Sequence, residues 1–270
     1  MEKTLCLRTI DDYDISAVHS ISKGKGVILW LHGITVNKDE YLYFFRDGVK
    51  YLYGKGIDSF RFDFRGHGES GGTSLDFSIV GQMFDTDSAM EYLIDYYQMG
   101  NLNLKINIVA CSFGAPPAIF TALNYNEYVN NLILISPVIS YKNTFLEPRT
   151  EWAKSIFNNR TLSDLKRNKT LLFDDNFSIS YRLVEEMKII QPELAIINLK
   201  QSIVMIHGDA DSMVPYEVSR NISEKCKKIK FISIKGMDHG FTDANDEEGV
   251  SKQSLENKAR IYRLIEESCR

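Results

Sequence analysis

The spacing of apolar residues changes along the chain. Residues 3 to 9 and 13 to 19 alternate apolar and polar positions on either side of Asp11-Asp12, the period-two pattern of two half-buried strands joined as a hairpin. From residue 27 the pattern becomes continuous. Val27-Ile-Leu-Trp-Leu31 is a solid apolar run ending at His32-Gly33, as expected of a strand covered on both faces. A helical stretch over 41 to 54 follows, closed by Gly54. Then come a strand over 58 to 63, a helix over 78 to 97, a strand over 105 to 110, a helix over 113 to 125 and a strand over 131 to 135. Strands and helices in alternation predict an α/β protein with a doubly wound, mostly parallel sheet.

The rhythm breaks after residue 136. Gln201 to Ile206 resumes the strand pattern, followed by a helix near 216 to 226, a strand over 229 to 234 and an amphipathic helix from about 254. Between them, residues 137 to 200 hold a hairpin (169 to 173 and 177 to 180 around Asp174-Asp175-Asn176) and polar helical segments near 150 to 158 and 179 to 190. Long connections between core strands are seldom structureless. The expected organisation is a core of residues 1 to 136 and 201 to 270, with 137 to 200 inserted as a lid.

Composition narrows the function classes. With 270 residues, 44% hydrophobic and 25% charged, the chain suits one globular domain with an insertion. The net charge is −4 and Lys and Arg are scattered, which argues against nucleic acid as a partner. No apolar run approaches the ~20 residues a membrane-spanning helix needs, so no membrane partner is expected. Met-Glu-Lys-Thr-Leu-Cys-Leu-Arg at the start lacks the basic and apolar regions of a secretory signal, and the expected setting is cytoplasmic. Cys6, Cys111, Cys226 and Cys269 show no CxxC spacing, so neither a disulfide framework nor a metal site is expected.

Ligands of open α/β sheets bind beyond the carboxyl ends of the strands. The residues found there are His32-Gly33, Asp63, Ser112, His207-Gly208-Asp209 and Asp238-His239. Around Ser112, a strand runs into a helix through a sharp turn that requires small residues two positions before and after its apex. With Ser112 at the apex these are Ala110 and Gly114; with Cys111 they would be Val109 and Phe113. The register selects the serine as the candidate nucleophile, although this turn alone fits a helix N-cap serine equally well. A serine nucleophile needs a base and an acid that orients it. His239, late in the chain after a strand, is the candidate base. Asp211, in the loop closed by Pro215, is the candidate acid, with Asp238 as its rival. Backbone N–H groups for a developing oxyanion are expected from Phe113, after the nucleophile, and from Ile34, after the first buried strand.

His32-Gly33, Asp63-Phe-Arg-Gly-His-Gly-Glu-Ser70, Ala110-Cys-Ser-Phe-Gly114, Gly208-Asp-Ala-Asp211 with Val214-Pro215, and Asp238-His239 together resemble the α/β-hydrolase superfamily. The order Ser, Asp, His matches as well. Phe62-Asp-Phe-Arg-Gly-His-Gly-Glu-Ser-Gly71 and His32-Gly-Ile-Thr35 are most similar to small bacterial carboxylesterases of the cinnamoyl and feruloyl type. That resemblance implies Ile34 and Phe113 as oxyanion donors and a structural loop role for Asp63 and Arg65. Those enzymes usually carry Gly-His-Ser-Gln-Gly at the elbow, where this chain has Ala-Cys-Ser-Phe-Gly.

The expected activity is carboxylic ester hydrolysis through an acyl-enzyme intermediate, with no cofactor or metal and a small-molecule ester or thioester as substrate. An acyl thioesterase or acyltransferase using the same triad is the alternative, and Ser136 to Phe145 faintly resembles such enzymes. A catalytically silent binding protein on the same scaffold is a third possibility. Tyr141, Phe145, Trp152 and Phe173, with Phe157, are candidates to line an acyl pocket, or they form the core of the insertion.

Overall fold

The computed structural model describes residues 1–22, 26–99 and 105–269. In chain order its elements begin with β1 (Glu2–Arg8), β2 (Asp14–Ser20), β3 (Val27–Leu31), α1 (Phe44–Tyr53), β4 (Asp58–Phe62), α2 (Ile79–Gln98), β5 (Ile106–Cys111), α3 (Ala115–Asn124) and β6 (Val129–Ile135). The inserted segment then supplies α4 (Glu151–Ile156), α5 (Asn159–Asn168), β7 (Thr170–Asp174), β8 (Phe177–Ser180), α6 (Tyr181–Ile189) and α7 (Pro192–Ala195). The core resumes with β9 (Ser202–Gly208), α8 (Tyr216–Lys225), β10 (Ile229–Ile234) and α9 (Lys252–Ser268).

Eight strands form one sheet in the order β1-β2-β4-β3-β5-β6-β9-β10, while β7 and β8 make a separate hairpin. β1, β2 and β4 pair antiparallel, and every pairing from β4 to β10 is parallel. This is the doubly wound, mostly parallel sheet that the alternation predicts, in the arrangement that the resemblance to α/β-hydrolases implies. Successive side chains of a strand face opposite sides of a sheet, and β3 divides accordingly. Val27, Leu29 and Leu31 join a core with Ala89 and Leu93 of α2 and Ile119 of α3, whereas Ile28 and Trp30 join a second core with Phe45 of α1 and Ile261 of α9. All five residues of β3 are buried. At roughly 1.5–3 kcal/mol for each large apolar side chain removed from water, the central strands make a platform rigid enough to hold irregular loops at its edge.

The insertion leaves the sheet after β6 and returns at β9, which is the neighbour of β6. Its buried residues Phe145, Phe157, Leu165, Phe173 and Leu183 belong to the same apolar cluster as α2 and α3. Glu186 of α6 reaches the core directly, its carboxylate accepting the Ile79 and Val80 N–H groups at the start of α2. The helices α5 and α7 and the π-turn Lys142–Leu146 are absent from the sequence reading. Among the described residues, no helix is long and apolar enough to cross a membrane.

Candidate active site

Ser112 follows β5 directly and starts a short 3-10 turn leading into α3. Its φ is +49°, the left-handed region that side chains with a Cβ normally avoid. The elbow's size rule is visible in the coordinates. A Cβ added to Gly114 would lie 2.3 Å from the Leu31 carbonyl oxygen and 2.7 Å from that of His32. Helix and strand backbones approach so closely that nothing larger than glycine fits there. Cys111 is buried on the opposite side of the strand, and burial pushes its thiol well above the usual range.

The Ser112 hydroxyl lies 3.0 Å from His239 Nε2, and His239 Nδ1 lies 2.9 Å from Asp211 Oδ2. A carboxylate only accepts, so Nδ1 carries the hydrogen and Nε2 is free to accept from the serine. Asp211 comes from the β9–α8 loop and His239 from the loop after β10, so three separate strand ends converge as the sheet topology requires. Asp238 occupies a different place. It accepts from the Ser212 backbone N–H, the Ser212 hydroxyl and the His239 N–H, tying the two loops together rather than facing the imidazole.

The Asp211 carboxylate is fully buried and every one of its lone-pair directions is engaged. Oδ1 accepts the Met213 and Val214 N–H groups, and Oδ2 accepts His239 and also His207 Nε2 at 3.0 Å. Burial alone would raise its pKa. The His239 charge and the donors from His207 and His239 outweigh burial and hold the carboxyl well below its ordinary value. Burial likewise opposes charge on His239, but the Asp211 charge and hydrogen bond prevail, helped by Glu40 and Asp238, and its pKa is raised.

The loop after β3 is braced on both sides of Ile34. Gly33 N–H donates to Glu40 Oε2 at 2.9 Å, and Thr35 N–H donates to His67 Nε2 at 3.2 Å. His32 Nδ1 donates to the Gly33 carbonyl at 2.6 Å, and its Nε2 accepts from Phe64 N–H. The flanking N–H groups are thereby occupied, and no described residue accepts from the N–H of Ile34 or of Phe113. A Cβ on Gly33 would stand 3.3 Å from Ser112 Cβ, so this loop abuts Ser112. Asp63 and Arg65 hold neighbouring loops: Asp63 accepts from Lys38 and Glu69 N–H, and Arg65 pairs with Asp85 and Asp11.

A cavity of about 590 Å³ opens over Ser112 and His239. Phe145, Trp152 and Phe173 line it, as do Met213, Val214, Phe241 and Ile34. Tyr141 and Phe157 do not. Tyr141 is 1% exposed and packs behind Phe113 and Phe145, and Phe157 packs between Phe145 and Phe173, tilted on the first and edge-on to the second. Both residues serve the packing of the insertion, which is the other role aromatic residues have there. Among the described residues, four carboxylates (Glu40, Asp174, Asp238 and Glu247) and no lysine or arginine line the cavity.

Sequence reasoning missed His207 and Glu40. His207 stands among the strand-end residues but receives no role there, yet the spacing His-x-x-x-Asp at a strand end returns its ring to the carboxylate of Asp211. Glu40 carried no sequence signal, since its partner Gly33 is engaged through the backbone.

The fold has close counterparts among solved structures. It superposes on the ferulic acid complex of Est1E from Butyrivibrio proteoclasticus with a TM-score of 0.75, at 19% identity and over 98% of each chain. A putative hydrolase from Agrobacterium vitis S4 matches with a TM-score of 0.76 at 17% identity, over 100% of this chain and 99% of that one. An esterase of Pyrococcus furiosus matches with a TM-score of 0.69 at 20% identity, over 100% and 93%. No curated protein sequence matches the chain significantly. The family described as serine aminopeptidase, S33, matches residues 22–247, a span that runs from before β3 to beyond His239 and includes every loop of the site. The chain therefore belongs to the serine aminopeptidase S33 family, serine hydrolases of the α/β-hydrolase fold.

Proposed function

We propose that this protein hydrolyses carboxylic esters of small, largely apolar acids through an acyl-enzyme on Ser112. The observation that carries the proposal is the unbroken chain Ser112 Oγ, His239, Asp211 at 3.0 and 2.9 Å, opening into a cavity walled by aromatic side chains. His239 Nε2 takes the serine proton as Oγ attacks the ester carbonyl. The N–H groups of Ile34 and Phe113 receive the oxyanion, and the imidazolium then protonates the departing alkoxide. Water repeats the sequence on the acyl-enzyme and releases the acid. Asp211 stays ionised throughout and keeps the proton of His239 on Nδ1. In this reading residues 137 to 200 act as the lid that walls the acyl side, with Phe145, Trp152 and Phe173 in contact with the acyl group.

Among the described residues the wall carries carboxylates and no lysine or arginine. A polyphosphorylated acyl carrier would meet repulsion there, which favours simple esters over the acyl-thioester alternative. The same acidic wall favours a second reading, cleavage next to a substrate ammonium group, in keeping with the aminopeptidase description of the family.

Turnover of p-nitrophenyl acetate and butyrate, set beside acyl-CoA and alanine p-nitroanilide, tests these readings. The esters are expected to be cleaved fastest, and Ser112→Ala is expected to lower kcat on the order of 10⁴-fold or more. Ester turnover that survives in Ser112→Ala would refute the mechanism. A dominant rate on the anilide would select the peptidase reading.

A further inference from the structure

The Asp211 carboxylate serves two histidines. His239 and His207 both donate to the single oxygen Oδ2, at 2.9 and 3.0 Å, while Oδ1 is occupied by two backbone N–H groups. His207 is the penultimate residue of β9 and is completely buried. Its other ring nitrogen lies 2.9 Å from the hydroxyl of Ser219, itself fully buried on α8, and the ring edge packs against Tyr216. The ring is thus pinned from three sides and has no open path to solvent or substrate.

We propose that His207 is a positioning residue for the Ser112 reaction: it fixes the rotamer of the Asp211 carboxylate and draws off part of its charge. This rests on the function proposed above. One oxygen atom, Asp211 Oδ2, takes both donors. Hydrogen bonds from His207 spread the carboxylate's negative charge, so less of it is available to hold a proton on His239. Without His207 the carboxylate gains a vacant lone pair in a buried site, loses one of the contacts that set its plane, and binds the imidazolium of His239 more strongly. The base would then deprotonate only at higher pH, and its ring would be aimed less well at Ser112. The other charges facing His239 are unchanged by this substitution: Glu40 across the cavity, from the loop before α1, and Asp238 beside it in the chain.

The test compares His207→Leu, His207→Gln and wild type in the pH dependence of kcat/KM on a p-nitrophenyl ester. For His207→Leu the acid limb is expected to move up by about half a unit to one unit, with kcat reduced roughly ten- to a hundredfold and KM within about threefold. Glutamine restores a donor and is expected to recover most of both. An acid limb identical to wild type in His207→Leu, whatever its melting temperature, would overturn the proposal and leave His207 a packing residue. Should His207→Leu fail to fold, wild-type protein decides the matter: ¹⁵N–¹H spectra of the histidine rings are expected to show hydrogen on Nε2 of His207, and an unprotonated Nε2 would overturn it. Absence of Ser112-dependent turnover in wild type would instead count against the parent function, since the ring spectra read His207 independently of turnover.

Discussion

Ser112 holds a backbone conformation that costs about 1–3 kcal/mol for a residue with a Cβ, and its neighbours determine that it persists. Gly114 lets α3 start against the Leu31 carbonyl, and the Val138 N–H donates to the Ser112 carbonyl from the far side. This local steric rule was legible in the sequence because it depends on side-chain size two positions either way. The roles of His207 and Glu40 were not, because each depends on where a loop brings an atom from elsewhere. Glu40 has φ +62° and ψ 171°, a conformation nearly reserved for glycine, and only the fold reveals that its carboxylate secures Gly33. The register that selects Ser112 also leaves the thiol next door idle. Cys111 faces away from the cavity and its burial suppresses the thiolate, the reactive form. Cys111→Ala is expected to keep kcat/KM within about twofold, on the order of 0.4 kcal/mol, and thiol-alkylating reagents should leave wild-type turnover intact. Loss of activity in either assay would move the nucleophile to the cysteine.

At the scale of elements, strand and helix alternation read correctly wherever a continuous apolar run made a fully buried strand, as in β3, β5 and β6. The insertion resisted because its helices are short and polar, and α5 carries a single fully buried side chain, Leu165. Periodicity needs several buried positions to be seen. What fixes the insertion is its apolar underside together with polar clasps, among them Glu186 on the first turn of α2, Thr150 on the Met213 carbonyl and Ser178 N–H on Ser74. A carboxylate at a helix N-terminus both accepts orphan N–H groups and faces the positive end of the helix dipole. Glu186→Ala is therefore expected to lower unfolding stability by about 1 kcal/mol in urea titration, with kcat of Ser112 little changed. An unaltered midpoint would mean that this clasp adds nothing to the contacts that seat the insertion.

For the molecule as a whole, three buried histidines set the acid limit. Burial lowers His19 and His32 to about 4 and His67 to about 3. All three lie below their unfolded value of about 6.5, so on acidification the unfolded chain takes up protons that the native state refuses. Their stabilisation is present above pH 6.5 and drains away as pH falls toward 4, by at most about 4 kcal/mol per pH unit for three sites together. His239 has the opposite sign. Its raised folded pKa adds stability below 6.5 that is lost as pH rises through the folded value. Urea midpoints are accordingly expected to fall markedly between pH 7.5 and pH 5, and equal midpoints would show that the three imidazoles are free to charge in the native protein. Because His32 and His67 also brace the Ile34 loop, activity should fail irreversibly only where the fold does.

The hydrogen bond between Ser112 and His239 joins residues 127 positions apart, and that between Asp211 and His239 spans 28. During synthesis the proposed nucleophile therefore leaves the ribosome long before its proposed base. A nascent chain can present a finished elbow and still be chemically inert, because nothing deprotonates Ser112 until the turn after β10 has emerged and docked. Under the proposed mechanism folding order is a safety catch on the Ser112 hydroxyl, and labelling by a serine-directed phosphonate is expected to mark only chains whose last parallel strand is in place.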